Sequence, residues 1–335
     1  MANFYLPDDA NQQIYLDANA TTPVLPEIAD VVSHTMQVCF GNPSSSHITG
    51  IQAKHLLEQT RNKAREVIGA TDGDILFTSG ATEGIQTAVV STLIAAKNHQ
   101  IENPVLLYGA TEHKAVPNTL KHWNSVLDIN AQVLAIPVDK NGILDHEFIR
   151  KHAANALMIC TMAVNNETGV FQDLIAIEQV IRSENTHVAW MVDCVQALGK
   201  TNLALSQTTI DYAPFSGHKL YAPKGIGVLY IREGSAYTPF IAGGGQESGM
   251  RSGTENLPGI AGLNKLFSLL LDKQNQTFKP IEQLHAYREQ LLGALTDTFG
   301  SITFNHSFEH SVPTTLNFAV NELTSKEVMD LFDAA

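Results

Sequence analysis

Reactive and polar side chains directly follow five short apolar runs of the sequence. They are Ser79-Gly80-Ala81-Thr82, Glu112-His113, Asn165-Asn166-Glu167, Asp193 and Ser216-Gly217-His218-Lys219. In an open α/β sheet, ligands bind beyond the carboxyl ends of the strands. We therefore expect these groups to face a common site, because a purely structural protein has no reason to collect them there.

Lys219 and Asp193 are the pair with the most definite chemistry. A lysine at a partly apolar strand end loses its proton readily, and the neutral amine can form a Schiff base with a carbonyl group. The ordinary alternative is a surface lysine in a loop. A buried Asp193 needs a cationic partner, and a pyridinium ring is one, since an Asp facing that ring is a recurring device for pyridoxal phosphate (PLP). The alternative for Asp193 is a helix cap or a structural ion pair.

The turn at 79–82 lies between a predicted strand and a predicted helix, where free N–H groups and the helix dipole favour an anion. Taken alone, it could equally be a simple Ser/Thr cap. The sequence lacks G-x-x-x-x-G-K-[ST], and the glycines at 243–245 do not lie in an early βαβ unit. A phosphate other than that of ATP or NAD is the better fit, and Ser216 and His218 could donate to it.

Histidines give a weaker signal. His113 could lie over an aromatic ring and shuttle protons, although a lone histidine is more commonly a hydrogen-bonded core residue. No H-E-x-x-H motif occurs, so we predict no metal site.

The elements that must position these groups follow an α/β pattern. Apolar runs alternate with helical periodicity, which predicts a mostly parallel sheet covered by helices on both faces. Predicted strands are 75–77, 105–108, 133–138, 157–162, 188–192, 211–216, 301–304 and 314–320. Predicted helices are 85–96, 114–127, 145–154, 173–184, 258–272, 280–299 and 325–332.

Composition narrows the class of protein. The 335 residues carry a net charge of −13, which disfavours sequence-independent binding to nucleic acid or anionic membranes. Cys39, Cys160 and Cys194 form no C-x-x-C pair, so we expect a reducing, cytoplasmic location without disulfides or a zinc ribbon. No signal peptide and no run long enough to span a bilayer are recognised.

Taken together, these segments resemble the cysteine desulfurases of the class V aminotransferase family, which are PLP enzymes of fold type I. The matching stretches occur in order at 15–23, 40–47, 77–83, 111–116, 164–169, 192–200, 216–227 and 251–256. The resemblance implies a three-layer α/β large domain over 1–257, whose residues 1–20 pack on a small domain. It also implies a partial α+β small domain over 258–335.

The resemblance also assigns roles to residues. Lys219 would hold PLP and move the Cα proton of the substrate, and Asp193 would keep the pyridine nitrogen protonated. Gln196 would hydrogen-bond the phenolate oxygen, and His113 would stack on the ring and act as an acid/base. The phosphate would be bound by Ala81, Thr82, Ser216, His218 and, from the neighbouring subunit of a homodimer, Thr254.

Substrate groups are implied as well. Asn165 would face the cofactor and the substrate carboxylate, and residues 40–47 would lie near the substrate entrance. The implied reaction converts L-cysteine into L-alanine and passes sulfur as a persulfide to an acceptor protein, for iron–sulfur cluster assembly, tRNA thiolation or another pathway.

The sequence departs from the family at its sulfur-accepting cysteine. That residue lies in a Ser-Gly-Ser-Ala-Cys type of loop, which none of Cys39, Cys160 and Cys194 matches, and the family's substrate-carboxylate arginine is missing too. We expect a truncated desulfurase. The alternatives are a class V aminotransferase or cysteine β-lyase without a cysteine nucleophile, and a non-catalytic PLP-fold binding protein. The last is disfavoured because the cofactor-binding set is present.

Overall fold

The computed structural model describes residues 14–97 and 101–334. Its centre is a seven-stranded sheet of order β1-β7-β6-β5-β4-β2-β3. The strands are β1 (Asp74–Thr78), β2 (Val105–Gly109), β3 (Gln132–Ile136), β4 (Ala156–Met162), β5 (Ala189–Asp193), β6 (Tyr212–Ser216) and β7 (Gly227–Ile231). β7 is antiparallel to β1 and β6, whereas β6–β5, β5–β4, β4–β2 and β2–β3 are parallel pairs. The predicted α/β fold with a mostly parallel sheet is confirmed.

Helices cover both faces of this sheet. They are α1 (Pro26–Gln37), α2 (Ile48–Ile68), α3 (Ala81–Ala96), α4 (Ala115–Val126), α5 (His146–Ala153), α6 (Leu174–Glu184) and α7 (Leu257–Leu271). Side chains alternate along the strands, so Met191 packs towards α3 and α4 while Trp190 and Val192 pack towards the other helices. The result is a three-layer arrangement with two cores.

Helices α1 and α2 had not been predicted. Pro26 starts α1 at a position where its missing N–H costs nothing, and Gly69 ends α2 in the left-handed conformation at φ 65°. Both helices pack against α7.

The last elements form a smaller unit. A two-stranded antiparallel sheet joins β8 (Ile302–Phe304) to β9 (Phe318–Val320), with α8 (Ile281–Phe299) and α9 (Ser325–Ala334) beside it in the sequence. β9 is shorter than the predicted strand 314–320. Thr315 instead lies against Gly169, and the Val312 N–H donates to the Gly169 carbonyl at 2.9 Å.

The division into domains stays a prediction. Helix α7 begins at the predicted boundary, yet it buries Ile260, Leu263 and Leu266 in the core of the large sheet. This packing favours a boundary after α7. Of the predicted N-terminal segment, residues 1–13 lie outside the described residues. The Asn19 side chain donates to Thr315 at 2.8 Å, so this part of the segment does contact the C-terminal unit.

Candidate cofactor site

Lys219 lies directly after β6, on a single 3-10 turn over Gly217–Lys219. Its Nζ donates to the backbone carbonyls of Asn19 at 2.7 Å and Ala20 at 2.8 Å. Burial lowers the pKa of the Lys219 amine, and the carboxylates of Asp17, Asp193 and Glu167 only partly oppose this effect. The half-buried amine is therefore neutral more readily than an exposed lysine.

Asp193 ends β5 and is 6% exposed. One carboxylate oxygen accepts the Val195 N–H at 2.9 Å, and no described residue forms an ion pair with Asp193. Burial raises the pKa of this carboxyl, while the Val195 N–H, His113 and Lys219 act to lower it. A buried carboxylate without a bonded cation is a receptor for one, and a protonated ring nitrogen meets that need.

Glu112 is a second buried carboxyl in this region. Neither of its oxygens has a hydrogen-bond partner among the described residues. Gly109 provides the room, because a Cβ there would lie 3.0 Å from a Glu112 oxygen. Burial raises the pKa of Glu112 well above its ordinary value, and the charge of Asp193 adds to this rise. Two adjacent buried carboxyls cannot both ionise easily, so the pair favours a single negative charge.

The predicted phosphate turn contacts two segments that are remote in the sequence, at Ser216 and at Arg251. The Ala81 N–H donates to the Ser216 hydroxyl at 3.0 Å. Glu83 accepts the Ser79 N–H at 2.7 Å and forms an ion pair with Arg251 at 2.9 Å. The Arg251 ion pair connects the loop around residue 254 to the turn.

Two other predicted phosphate groups have distinct positions. The His218 ring nitrogen Nδ1 lies 3.1 Å from the Thr21 hydroxyl. Burial, together with the charges of Lys219 and Lys224, lowers the pKa of His218, which favours a neutral imidazole. Thr254 is exposed, and its proposed contribution to a neighbouring subunit stays a prediction.

The remaining predicted residues lie at the same edge of the sheet. His113 is exposed just before α4, and its Nδ1 accepts the Ala115 N–H at 3.2 Å. The buried Asn165 donates to the Thr111 carbonyl at 2.9 Å and accepts the Glu167 N–H at 2.9 Å. Asn165 thus holds the loops after β2 and β4 together.

Gln196 belongs to a network that the sequence did not reveal. Its amide nitrogen donates to the Asn19 carbonyl at 3.0 Å, the same carbonyl that Lys219 contacts. Its amide oxygen accepts from Lys200 at 2.5 Å, and Lys200 also donates to the Asn19 side chain at 3.1 Å. Lys200 lies four residues after Gln196, the spacing at which two side chains of a helical turn meet. This spacing is the one feature of the sequence that could have predicted the contact.

The described part of the chain contains no set of metal ligands. Within it, no group of three His, Cys, Asp or Glu residues could hold a metal ion. Cys160 and Cys194 are buried, which raises the pKa of both thiols well above the ordinary value.

Comparison with known proteins identifies the family. The profile described as Aminotransferase class-V matches residues 14–335. The chain belongs to this family. It is 35% identical over 329 residues to the cysteine desulfurase IscS of Escherichia coli (strain K12 / DH10B), covering 96% of this chain and 78% of the relative.

Solved structures agree with this assignment. A NifS-like protein superposes with a TM-score of 0.88 at 30% identity, covering 96% of this chain and 86% of that one. A structure of SspA in complex with cysteine superposes with a TM-score of 0.81 at 28% identity, covering 96% and 87%.

Members of the class V family use PLP, and so does this chain. The described residues fit that cofactor. A buried carboxylate without a cation suits the ring nitrogen, and a lysine of lowered pKa suits its aldehyde. The helix N-terminus at Ala81 suits its phosphate.

Proposed function

We propose that this chain is a PLP-dependent cysteine desulfurase. The observation that carries the proposal is the shared location of a lysine amine of lowered pKa and a buried, cation-free Asp193, in a chain related to IscS along 96% of its length. L-cysteine as the substrate is supported by the name of that relative and by the cysteine bound in the SspA structure.

When bound, PLP supplies a ring that accepts electron density from the substrate Cα. The carboxylate of Asp193 would hold the positive charge at the ring nitrogen, and burial disfavours a second negative charge on Glu112. Ser216, His218 and the N–H groups at Ala81 and Thr82 would hold the phosphate.

Lys219 takes the proton from Cα at its Nζ and returns it later in the reaction. Burial lowers the pKa of this amine and so favours the unprotonated form, which a general base requires. His113 lies at the exposed rim, where it can exchange a proton with the substrate or with water. Asn165 orients the substrate carboxylate side of the site through the loops that it joins.

The net reaction balances without an external oxidant. The C–S bond of L-cysteine breaks, its sulfur joins an acceptor thiolate to give a persulfide, and Cβ gains a proton to give L-alanine. Cys160 and Cys194 are unsuitable acceptors because burial disfavours their thiolates. Cys39 is only partly buried but does not match the family's Ser-Gly-Ser-Ala-Cys type of loop, so a separate sulfur-acceptor protein is part of the proposal.

A homodimer is proposed on two grounds. Met36, Phe40 and Ile48 are 64%, 70% and 70% exposed, and they lie around the segment that follows α1. Such an apolar surface is typical of an interface. Thr254 is exposed and so is free to reach a partner's phosphate site. We also propose a cytoplasmic location, in keeping with three free cysteines.

The test separates the candidate enzymes by product. Purified protein with PLP, L-cysteine and a small-molecule thiol as the sulfur acceptor should release L-alanine, whereas a β-lyase would release pyruvate and an aminotransferase would release the sulfur-containing keto acid. Lys219→Ala should lose both the covalent cofactor and the product. Lys121→Ala, which removes an exposed lysine of α4, serves as the control. Pyruvate without alanine would refute the desulfurase proposal, and a protein that binds no PLP would refute the whole assignment.

A further inference from the structure

Among the described residues, Lys200 donates to two side-chain amides and to no carboxylate. Its Nζ contacts the side-chain oxygens of Gln196 at 2.5 Å and of Asn19 at 3.1 Å. No acidic residue of the described chain forms an ion pair with it. A partly buried cation without a counter-ion is costly. Solubility alone therefore does not explain a lysine at position 200.

The explanation lies in the donors and acceptors of the two side chains. An ammonium group has three donors and no acceptor, whereas an amide presents an acceptor at one end and donors at the other. The Gln196 oxygen must therefore face Lys200, and the Gln196 nitrogen must face away from it. That nitrogen donates to the Asn19 carbonyl, on which the Lys219 amine also rests.

We propose that Lys200 is a positioning residue of the PLP site, which fixes the amide of Gln196 with its nitrogen towards the cofactor and holds the Asn19 segment over Lys219. The inference rests on the proposed function, since it takes PLP as the occupant. Lys200 itself need touch neither the cofactor nor the substrate.

The charges of the two lysines provide a further observation. Burial, and then the charge of Lys219, lowers the pKa of Lys200 to about 8. Below about pH 8, Lys200 is therefore mostly charged, as its role as a donor-only cation requires. The effect of Lys200→Met on PLP binding should therefore be largest below about pH 8, where Lys200 is charged.

The experiment measures PLP binding to the cofactor-free full chain by absorbance titration from pH 6.5 to 9. We expect Lys200→Met to weaken binding about tenfold, since a hydrogen bond to a charged group contributes about this factor. Lys63→Met is the matched control, because Lys63 also donates to two neutral side-chain oxygens, on Asn264 and Ser268 of α7. The control should bind PLP as the wild type does.

Two further variants distinguish positioning from a general loss of structure. Lys200→Arg keeps a donor-only cation and should retain binding within about threefold, whereas Lys200→Gln offers an acceptor as well and should not. This comparison decides the matter even if Lys200→Met does not fold. In a Gln196→Ala background, Lys200→Met should have little further effect, because the two residues act as a unit.

Equal PLP binding by the wild type and Lys200→Met, or additive effects of Lys200→Met and Gln196→Ala, would overturn the role of Lys200 alone. A wild-type protein that binds no PLP would overturn the proposed function itself, so the two failures are distinguishable.

Discussion

Glu112 should make the folded protein less stable as the pH rises, and Glu112→Gln should remove this dependence. The unfolded chain releases the proton of this carboxyl at a pH of about 4.3. The folded chain holds the proton to a higher pH, because the carboxyl is buried beside Asp193 and these effects outweigh the opposing contact with the Met162 backbone. Between these two pKa values, the folded state binds one more proton than the unfolded state.

The size of the effect follows from proton linkage. Within that window, the free energy of unfolding of the wild type should fall by about 1.4 kcal/mol for each pH unit relative to Glu112→Gln. The buried amide of the variant has its own cost, about 1–3 kcal/mol if it is unsatisfied. That cost does not vary with pH, so the slope of the difference between the two proteins is the quantity to read. Asp193 is present in both proteins, so the contribution of its own titration largely cancels from the difference in unfolding free energy.

Urea unfolding of the cofactor-free proteins at pH 5, 6, 7 and 8 provides the measurement. Glu147→Gln is the control, because the Glu147 side chain is 80% exposed and its replacement should give a flat difference. A difference between wild type and Glu112→Gln that stays constant over this range would refute the reasoning. It would show that Glu112 ionises normally in the folded chain.

Three other substitutions test the framework of the site, and a fourth, in α8, serves as a control. Arg251→Ala breaks the ion pair with the buried Glu83 and should cost about 3 kcal/mol in urea unfolding; an unchanged midpoint would contradict this. Gly227→Ala would place a Cβ 2.7 Å from a backbone atom of the turn before α3, so thermal stability and PLP affinity should both fall. Gly293→Ala is the control: its Cβ would meet no atom within 4 Å, and the substitution should stabilise α8 by up to about 1 kcal/mol. Leu263→Ala leaves a cavity where α7 meets the sheet and should cost about 2–5 kcal/mol by calorimetry; a cost below 1 kcal/mol would argue against close packing there.

The sheet could be predicted because its signal is local. Strands such as β4 are continuous apolar runs with turn residues after them, and both features are visible in a short window. Helix α2 gives no comparable signal. Its buried face consists largely of small residues, Ala53, Thr60 and Ala64 among them. They allow close approach to α7 but do not form an apolar stripe in the sequence.

The site could be predicted in part for the same reason. The carboxyl ends of parallel strands lie at one edge of a sheet, so the residues that follow the strands meet there. This rule predicts the positions of Asp193 and Lys219. The contribution of Asn19 depends on contacts with Gln196, Lys219 and Thr315. These partners lie about two to three hundred residues away in the sequence, so no local pattern encodes them. The roles of the individual residues towards PLP stay predictions.

Strand order has a consequence for the timing of assembly. β1 lies at the edge of the sheet, and among the described strands its one partner is β7. The turn that follows β1 can be held in place only when residues 227–231 have been synthesised and have left the ribosome. Closing this long loop is slow compared with forming a local contact. A nascent chain should therefore capture its cofactor late, after most of the sheet exists.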